Sequence, residues 1–457
     1  MSDTFRPWDV DQEWLLPPSV RELVPAGHVA HFVRDLVREE LDLSAILDQY
    51  RHGPGGTAFH PAMMTALLLY GYTQGVYSSR RLAQACEQRV DFMAVTALCR
   101  PDFRTIALFR QRHREALRGL FGQVLGLCRS AGLARLGHVA LDGTKMKANA
   151  SRHRAMSYER MLKREAELVA EVEAWLAEAE AVDAREDHEH GVERRGDEMP
   201  AWVANKQQRL AKIREAKVAL EAEAQATAEA KDEARQAKQD EPGEEPASEP
   251  AGTGEPLAPV EPAAGPPEPT AQLNFTDPES RIMKTHDGWQ QSYNAQAAVD
   301  AESGVIVGAY VTNSGVDSGQ LLPLLDDVAA NLGEYPEQAS ADSGYCSEAN
   351  LAGVAERGVD AYVAVGRQRH GTASATGDKP AREGPGRAAM RAKLAEGGWD
   401  SPYHLRKQTV EPVFGQIKAA RGFRQFLTRG LGNVAAEWSL VCCAHNVLKL
   451  AKWALGG

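Results

Sequence analysis

Apolar residues recur with a helical period in the first third of this chain. They are spaced by three and four positions in VRELVPAGHVAHFVRDLVREEL and again in HPAMMTALLLYGYTQG, a pattern that predicts amphipathic or buried helices. Serines precede another helix that is predicted to begin near Arg80, and Pro101 separates it from a helix near Thr105. Residues 1–135 are therefore predicted to be all-helical.

Short apolar runs with turn residues between them replace this pattern after residue 136. The run 138–141 predicts a buried strand that ends at Asp142, with Gly143 beginning a turn. The sequence then predicts two strands, at 292–301 and 304–312, and a helix at 317–333. The segment 337–347 predicts a short strand that ends at Asp342, and a helix at 350–358 and a strand at 359–367 follow it. A further helix is predicted to begin at Val410, with Pro412 in its first turn, and a closing helix covers 438–455.

A long polar segment interrupts these strand signals. Residues 155–240 are dense in Ala, Glu, Lys, Arg and Leu, which are strong helix formers. Two apolar stripes predict an antiparallel helical hairpin: Leu162, Leu168, Val172 and Leu176, then Leu210, Ile213 and Leu220. Nine prolines and seven glutamates fall within residues 241–270, a composition typical of a disordered acidic linker.

These patterns divide the chain into five segments. They are a helical N-terminal domain (1–135), the first part of a domain with strands (136–154), a helical hairpin insert (155–240), a disordered acidic linker (241–271), and the rest of the domain with strands, which ends in basic C-terminal helices (272–457).

The charge is unevenly distributed. The formal net charge is −11, yet residues 401–457 hold eight Lys or Arg against two Glu. A basic C-terminal section suits a nucleic-acid partner although the whole chain is acidic. The six cysteines form no C-x-x-C pair, and no apolar run is long enough to span a bilayer. We therefore expect a cytoplasmic protein, nucleoid-associated when bound to DNA, with no membrane partner.

Three carboxylates carry the candidate chemistry. The order of the predicted elements is that of an RNase H-like mixed sheet: a strand with Asp142, two hairpin strands, a helix, a strand with Asp342 and a late helix with Glu411. In that layout the three residues converge at one edge of the sheet. There they could bind two Mg²⁺ ions about 3.5–4 Å apart, with Mn²⁺ as a substitute, for phosphoryl transfer.

Basic residues near these carboxylates are candidate DNA contacts. Lys418 follows Glu411 by two helical turns, so both are expected on one face of the helix. Arg421 and Arg424 extend the basic track, whereas Phe423 and Phe426 between them are expected in the core. Lys145 and Lys147 after the first strand are further candidates for phosphate contacts.

The helical N-terminal section carries a second group of candidate DNA contacts. Two short helices and an arginine-bearing helix resemble a helix-turn-helix DNA reader, in which Arg80, Arg81, Arg110 and Arg112 would contact DNA. An ordinary helical bundle with a solvated basic face accounts for the same pattern.

The chain resembles bacterial insertion-sequence transposases of the DDE class that carry a Y-R-E-K signature. The matching stretches are ALDGTKMKANAS, SYNAQAAVD, ADSGYCSEANL and RKQTVEPVFGQIKAARGFRQF. The resemblance covers nearly the whole chain, and it implies that Asp142, Asp342 and Glu411 are the metal-binding catalytic triad. The overall class is α/β (α+β overall): an RNase H-like mixed sheet with flanking helices, preceded by an all-helical domain and interrupted by the hairpin insert.

The signature departs from the family spacing at one point. Six residues separate Glu411 from Lys418, as in the family, but four rather than three separate Arg406 from Glu411. Either one residue is inserted after Tyr403 and Arg406, or Lys407 replaces the arginine. All three are candidate DNA contacts.

The expected function is transposition. The enzyme would bind the terminal inverted repeats of its element, cleave the DNA and join the 3′ ends to target DNA, and two ends held together would require a homodimer or larger synaptic complex. The alternatives are an RNase H-like nuclease or resolvase without strand transfer, and a domesticated DNA-binding protein without catalysis.

Overall fold

The computed structural model describes residues 19–50, 58–151, 154–190, 201–239, 266–366, 375–377 and 383–456. Residues 241–265, most of the predicted linker, lie outside these ranges. The helices within them are α1 (Val29–Glu39), α2 (Ser44–Leu47), α3 (Pro61–Thr73), α4 (Ser79–Gln88), α5 (Val90–Thr96), α6 (Phe103–Arg112), α7 (Arg114–Ser130), α8 (Tyr158–His190), α9 (Ala201–Gln239), α10 (Leu321–Leu332), α11 (Glu348–Glu356), α12 (Pro385–Gly397), α13 (Leu405–Gly415) and α14 (Leu431–Ala454).

The strands form one large sheet and a two-stranded ribbon. They are β1 (His138–Lys147), β2 (Ala155–Ser157), β3 (Gln272–Asn274), β4 (Arg281–Thr285), β5 (Gly288–Asp300), β6 (Ile306–Thr312), β7 (Gln338–Ala341) and β8 (Asp360–Val363). In the large sheet β6 and β1 both pair with β5 in antiparallel fashion, while β1, β7 and β8 are parallel. This mixed sheet with flanking helices confirms the predicted RNase H-like class.

Two predicted element boundaries near the candidate carboxylates were wrong. β1 does not end at Asp142 but continues to Lys147, because residues 139–147 all pair with β5. The helix with Glu411 begins at Leu405 rather than Val410, so Pro412 lies inside it instead of in its first turn. Pro412 is exposed, and so is Gln408, whose carbonyl loses the helical hydrogen bond that a proline cannot donate. Strands β2, β3 and β4 and helix α12 were not predicted.

Two apolar helices form the core of the unit that contains the large sheet. α3 is apolar on nearly every side, and its residues 64–73 are all buried. α14 contacts α3, α7 and β6, and its Trp438 donates an indole N–H to the Gln296 carbonyl of β5 (3.0 Å). The N-terminal helices and the sheet thus pack within one unit, through a helix that is buried on both sides. The limits drawn at residues 135 and 136 stay predictions.

The hairpin insert belongs to a second unit, Asn149–Ile282 with His286–Gln291. α8 and α9 pack around an apolar core, and Glu165 accepts from Arg214 (2.8 Å) and Lys217 (3.0 Å) across the pair. Leu168 and Ile213 are in this core as predicted, whereas Leu162 is exposed and Met161 is buried instead. A helical hairpin is thus confirmed.

Within the described ranges, no helix combines the length and the apolar character that crossing a bilayer requires.

His445 of α14 makes the stability of the core sensitive to acid. Its ring lies between the Arg421 guanidinium (3.0 Å) and the Gly304 carbonyl (2.9 Å). Burial, with the Arg421 charge second, lowers the pKa of His445 from 6.5 to about 3. Below pH 6.5 the unfolded chain therefore binds a proton at this histidine that the folded chain does not bind. The free energy of unfolding consequently decreases as the pH falls from 6.5 towards 3.

We predict that this histidine lowers the free energy of unfolding by about 1.4 kcal/mol between pH 7.5 and pH 5.5. The difference between the free energies of unfolding at the two pH values, measured with urea, should be smaller by that amount in His445→Asn than in the wild type. His286→Asn, at a fully exposed ring, is the control and should keep the wild-type difference. Equal differences in all three proteins would contradict the prediction.

Candidate active site

The register of the parallel strands brings two of the predicted catalytic aspartates to the same level. His138, Val139 and Ala140 of β1 face residues 338, 339 and 340 of β7. Asp142 and Asp342 stand two residues beyond the last of these pairs, at the point where β7 ends. The two carboxylates therefore emerge from neighbouring strands at the carboxyl end of the parallel part of the sheet.

Asp142 is largely enclosed and firmly oriented. One oxygen accepts from the Gly143 amide (2.9 Å), and the other accepts from the Arg406 guanidinium (2.7 Å). Burial raises the pKa of Asp142 to about 6; Arg406 acts against this rise, and the charge of Asp342 adds to it. The carboxylates of Asp142 and Asp342 thus influence each other electrostatically. Asp342 accepts from the amide of Gly344 (2.8 Å), which holds its own side chain.

Helix α13 lies against both strands that carry the aspartates. Arg406 on its inner face has a side chain only 10% exposed, while Lys407 is exposed. Of the two candidates for the signature arginine, Arg406 is the one whose side chain reaches β1. Tyr403, one turn earlier, is buried beside it, and burial raises the pKa of its phenol.

Glu411 does not join the aspartates in this conformation. Its side chain is exposed on α13. Within the described part of the chain, no group of three or more His, Cys, Asp and Glu side chains is close enough to hold a metal ion. The assignment of Glu411 to the triad therefore stays a prediction from the signature.

A fourth carboxylate, which the sequence analysis did not single out, lies next to this pair. One oxygen of Asp317 accepts from Lys145 (2.9 Å), from the Asn294 amide (2.7 Å) and from the Gln296 amide (3.2 Å). Gln296 in turn accepts from the Tyr345 phenol, which is buried. Asn294 and Gln296 are buried polar residues that alternate with the apolar residues Tyr293, Ala295 and Ala297 of β5, and that alternation is the signal that could have revealed the network.

Two glycines leave the space that this network occupies. A Cβ at residue 143 would lie 2.9 Å from an Asp317 carboxylate oxygen and closer still to the Gln296 amide nitrogen. At residue 344 a Cβ would contact both the Asp342 carboxylate and the Asp317 side chain. Gly143 directly follows Asp142, and a larger residue there would collide with the Gln296 and Asp317 side chains; Gly344, two residues after Asp342, is crowded mainly by the Asp342 carboxylate itself.

Lys418 is tied to the same strand. It lies in a π-helical turn (Gln416–Ala420) that continues α13, and its ammonium group donates to the Thr144 hydroxyl and to the Lys145 carbonyl (3.3 Å). Burial lowers the pKa of Lys418. The structure thus places Lys418 and Arg406 beside β1, the strand that carries Asp142 and Lys145.

The remaining candidate DNA contacts separate by exposure. Arg110 donates a hydrogen bond to the Tyr72 hydroxyl (3.2 Å), and Arg421 forms a hydrogen bond with the His445 ring. Both side chains therefore have partners within the protein. Lys147, Lys407, Arg424, Arg80 and Arg81 are exposed, and Arg112 is partly engaged through the Gln49 carbonyl (3.2 Å). The exposed side chains are the ones free to reach a phosphate. Phe423 and Phe426 are in the core, as expected.

The chemistry of the site suits a hard divalent cation. Its candidate donors, Asp142 and Asp342, are carboxylate oxygens, the ligand type that Mg²⁺ prefers. Mg²⁺ is commonly held by one or two protein carboxylates, with water and substrate phosphate oxygens completing its shell. Two aspartates at one end of neighbouring strands therefore fit such an ion.

Two family models match the chain. One, described as a transposase DDE domain, covers residues 265–447, which include Asp342 and Glu411; the other, described as a transposase domain (DUF772), covers residues 18–112. Asp142 lies outside both matches. No curated protein and no solved structure matches the chain. The fold and the two matches together define a transposase. The chain belongs to the insertion-sequence transposases of the DDE class, a class that generally uses divalent metal ions.

We predict that Asp317 stabilises the fold around the aspartate pair. Asp317→Ala would leave the Lys145 charge and two amides of β5 without their shared acceptor, which should cost roughly 2–3 kcal/mol in the free energy of unfolding. Asp326→Ala is the control, because Asp326 pairs with Arg357 at a more exposed position where loss of a pair should cost under about 1 kcal/mol. Urea unfolding measures both. Equal costs for the two variants would contradict the prediction.

Proposed function

We propose that this transposase binds the terminal inverted repeats of an insertion sequence, cleaves the DNA and joins the 3′ ends to a target duplex. The observation that carries the proposal is the register-matched pair of Asp142 and Asp342 at the end of two parallel strands, in a chain that carries a DDE domain match. Both steps would be phosphoryl transfers on the DNA backbone.

Asp142, Asp342 and Glu411 are proposed to hold the divalent ions, Mg²⁺ or Mn²⁺. When bound, two such ions would lower the pKa of the attacking hydroxyl and neutralise charge on the leaving oxygen. Arg406 and the Gly143 amide hold the Asp142 carboxylate in one orientation, which prepares it for an ion without rearrangement of the strand. Glu411 is included because of its spacing from Lys418 in the signature.

The lysines are proposed to position the scissile strand. Lys418 and Lys145 lie along β1, and Lys147 is exposed at the end of the same strand. Ammonium groups at these positions would bind phosphates on either side of the bond that is broken, which orients the DNA without reading its sequence. Cutting and joining two ends further requires two copies of the chain on one DNA complex, so we propose a homodimer or larger synaptic assembly.

We predict that Glu411→Gln abolishes both cleavage and joining while DNA binding is retained. The loss should be on the order of 10³-fold or more, because an electrostatic group that acts on the transition state is removed. The measurement uses a labelled terminal-repeat duplex with Mg²⁺ or Mn²⁺, and pre-cut ends report joining separately. Glu356→Gln, at an exposed glutamate of α11, is the matched control and should retain activity.

Three outcomes would contradict parts of the proposal. Equal activity in Glu411→Gln and wild type would remove Glu411 from the triad. Cleavage without joining of pre-cut ends would identify a nuclease or resolvase. Binding of the terminal repeat without cleavage by the wild-type chain would indicate a DNA-binding protein that has lost its catalytic role.

A further inference from the structure

The hairpin insert contains a cavity of its own, within the unit Asn149–Ile282. It has a volume of about 520 Å³, inside the range of about 300–1,000 Å³ that is usual for ligand pockets. The cavity lies where the β2–β3 ribbon meets α9: Arg154 precedes β2, and Phe275 follows β3. Every residue that lines it belongs to this unit.

Three cations face this cavity without a partner of opposite charge. Arg154, Arg209 and Lys212 line it, and none of their side chains makes a hydrogen bond or an ion pair with the described part of the chain. Other basic residues of α9 are paired: Arg214 and Lys217 both bind Glu165. The cations of α9 that line the cavity differ from these two in that they have no carboxylate partner within the described residues.

The contrast matters because the insert as a whole is acidic. Residues 161–240 carry a net charge of −7, yet within the described residues no carboxylate pairs with Arg154, Arg209 or Lys212. Like charges that converge without compensation repel one another, and a bound anion would remove that repulsion.

The neighbouring groups extend the chemistry of the cavity. Asn205, Gln208, Arg209 and Lys212 recur at three- and four-residue spacing, so they lie on one face of α9. The two amides add neutral donors beside the cations, which is the combination of side chains that contacts phosphate and sugar oxygens in protein–DNA complexes. Met156, Ile213 and Phe275 form an apolar floor.

Neither family match accounts for this site. The matches end at residue 112 and resume at residue 265, so α9 and β2 lie outside both. The cavity is also formed without the aspartate pair, Arg406 or Lys418.

We propose that this cavity binds a backbone phosphate of the DNA on which the transposase acts. The ligand chemistry is a phosphodiester oxyanion, held by Arg154, Arg209 and Lys212 with amide donors from α9. This inference rests on the proposed function, because it requires a chain that binds DNA. It assigns a positioning role to the insert, which would contact the duplex at a second place, apart from the residues that act on the scissile bond.

The test compares the salt dependence of DNA binding in full-length variants. Fluorescence anisotropy with a labelled terminal-repeat duplex measures the dissociation constant over a series of salt concentrations. Arg209→Gln with Lys212→Gln should raise the dissociation constant about tenfold at physiological salt and lower the slope of log K against log salt by about 1, because the phosphate in the cavity is no longer neutralised.

The matched control removes two charges elsewhere on the same insert. Arg160 and Lys163 are exposed on α8 and do not line the cavity; Arg160→Gln with Lys163→Gln should leave the slope within experimental error of wild type. Arg154→Gln is an independent variant from another element, and it should lower the slope by about 1. Circular dichroism verifies the helical content of each variant.

The outcomes separate this inference from the proposed function. Normal DNA binding and cleavage, with an unchanged salt slope in Arg209→Gln/Lys212→Gln, would overturn the cavity assignment alone. A wild-type chain that binds no duplex would overturn the proposed function and this inference with it. Inorganic phosphate provides the last arm: if it raises the melting temperature of wild type but not of the double variant, while DNA binding is unchanged, the cavity takes a free anion and the DNA assignment is wrong.

Discussion

The pairing of β1 on both of its edges is the constraint on which the rest of this structure depends. One edge is bound to β5 over residues 139–147, and the other is bound to β7 over residues 138–140. The antiparallel pairing continues beyond the point where the parallel pairing ends. Asp142 is consequently held by its pairing with β5 at a position where the other edge of β1 no longer pairs with β7, two residues after the last parallel pair.

Charge compensation around this position is arranged in two separate pairs. Arg406 neutralises Asp142, and Lys145 neutralises Asp317, all within a partly buried region. An unpaired charge in such surroundings is costly, so each carboxylate needs a nearby cation in the absence of other ligands. The same cations are also suitable partners for phosphates.

Much of this arrangement follows from local sequence, and the remainder does not. Strand and helix order could be predicted because apolar periodicity and capping residues act over a few positions. The continuation of β1 could not, since Asp142 followed by Gly143 is a turn signal that pairing with β5 overrides. Asp317 was missed because its partner Lys145 is far away in the chain. The position of Glu411 beside the aspartates was predicted from the RNase H-like order of elements and from the family resemblance, and with its side chain exposed on α13 it stays a prediction.

The hairpin insert lies in one connection between strands of the large sheet. Lys147, the last residue of β1, lies opposite Ser292 in the register with β5, and β4 pairs with β5 in the same sheet. Residues 148–280 therefore form the connection between β1 and β4. A loop can lengthen at a cost that grows only with the logarithm of its length. This connection could therefore have acquired an entire folded module, or could exchange one module for another, while the strands that hold the aspartates keep their register.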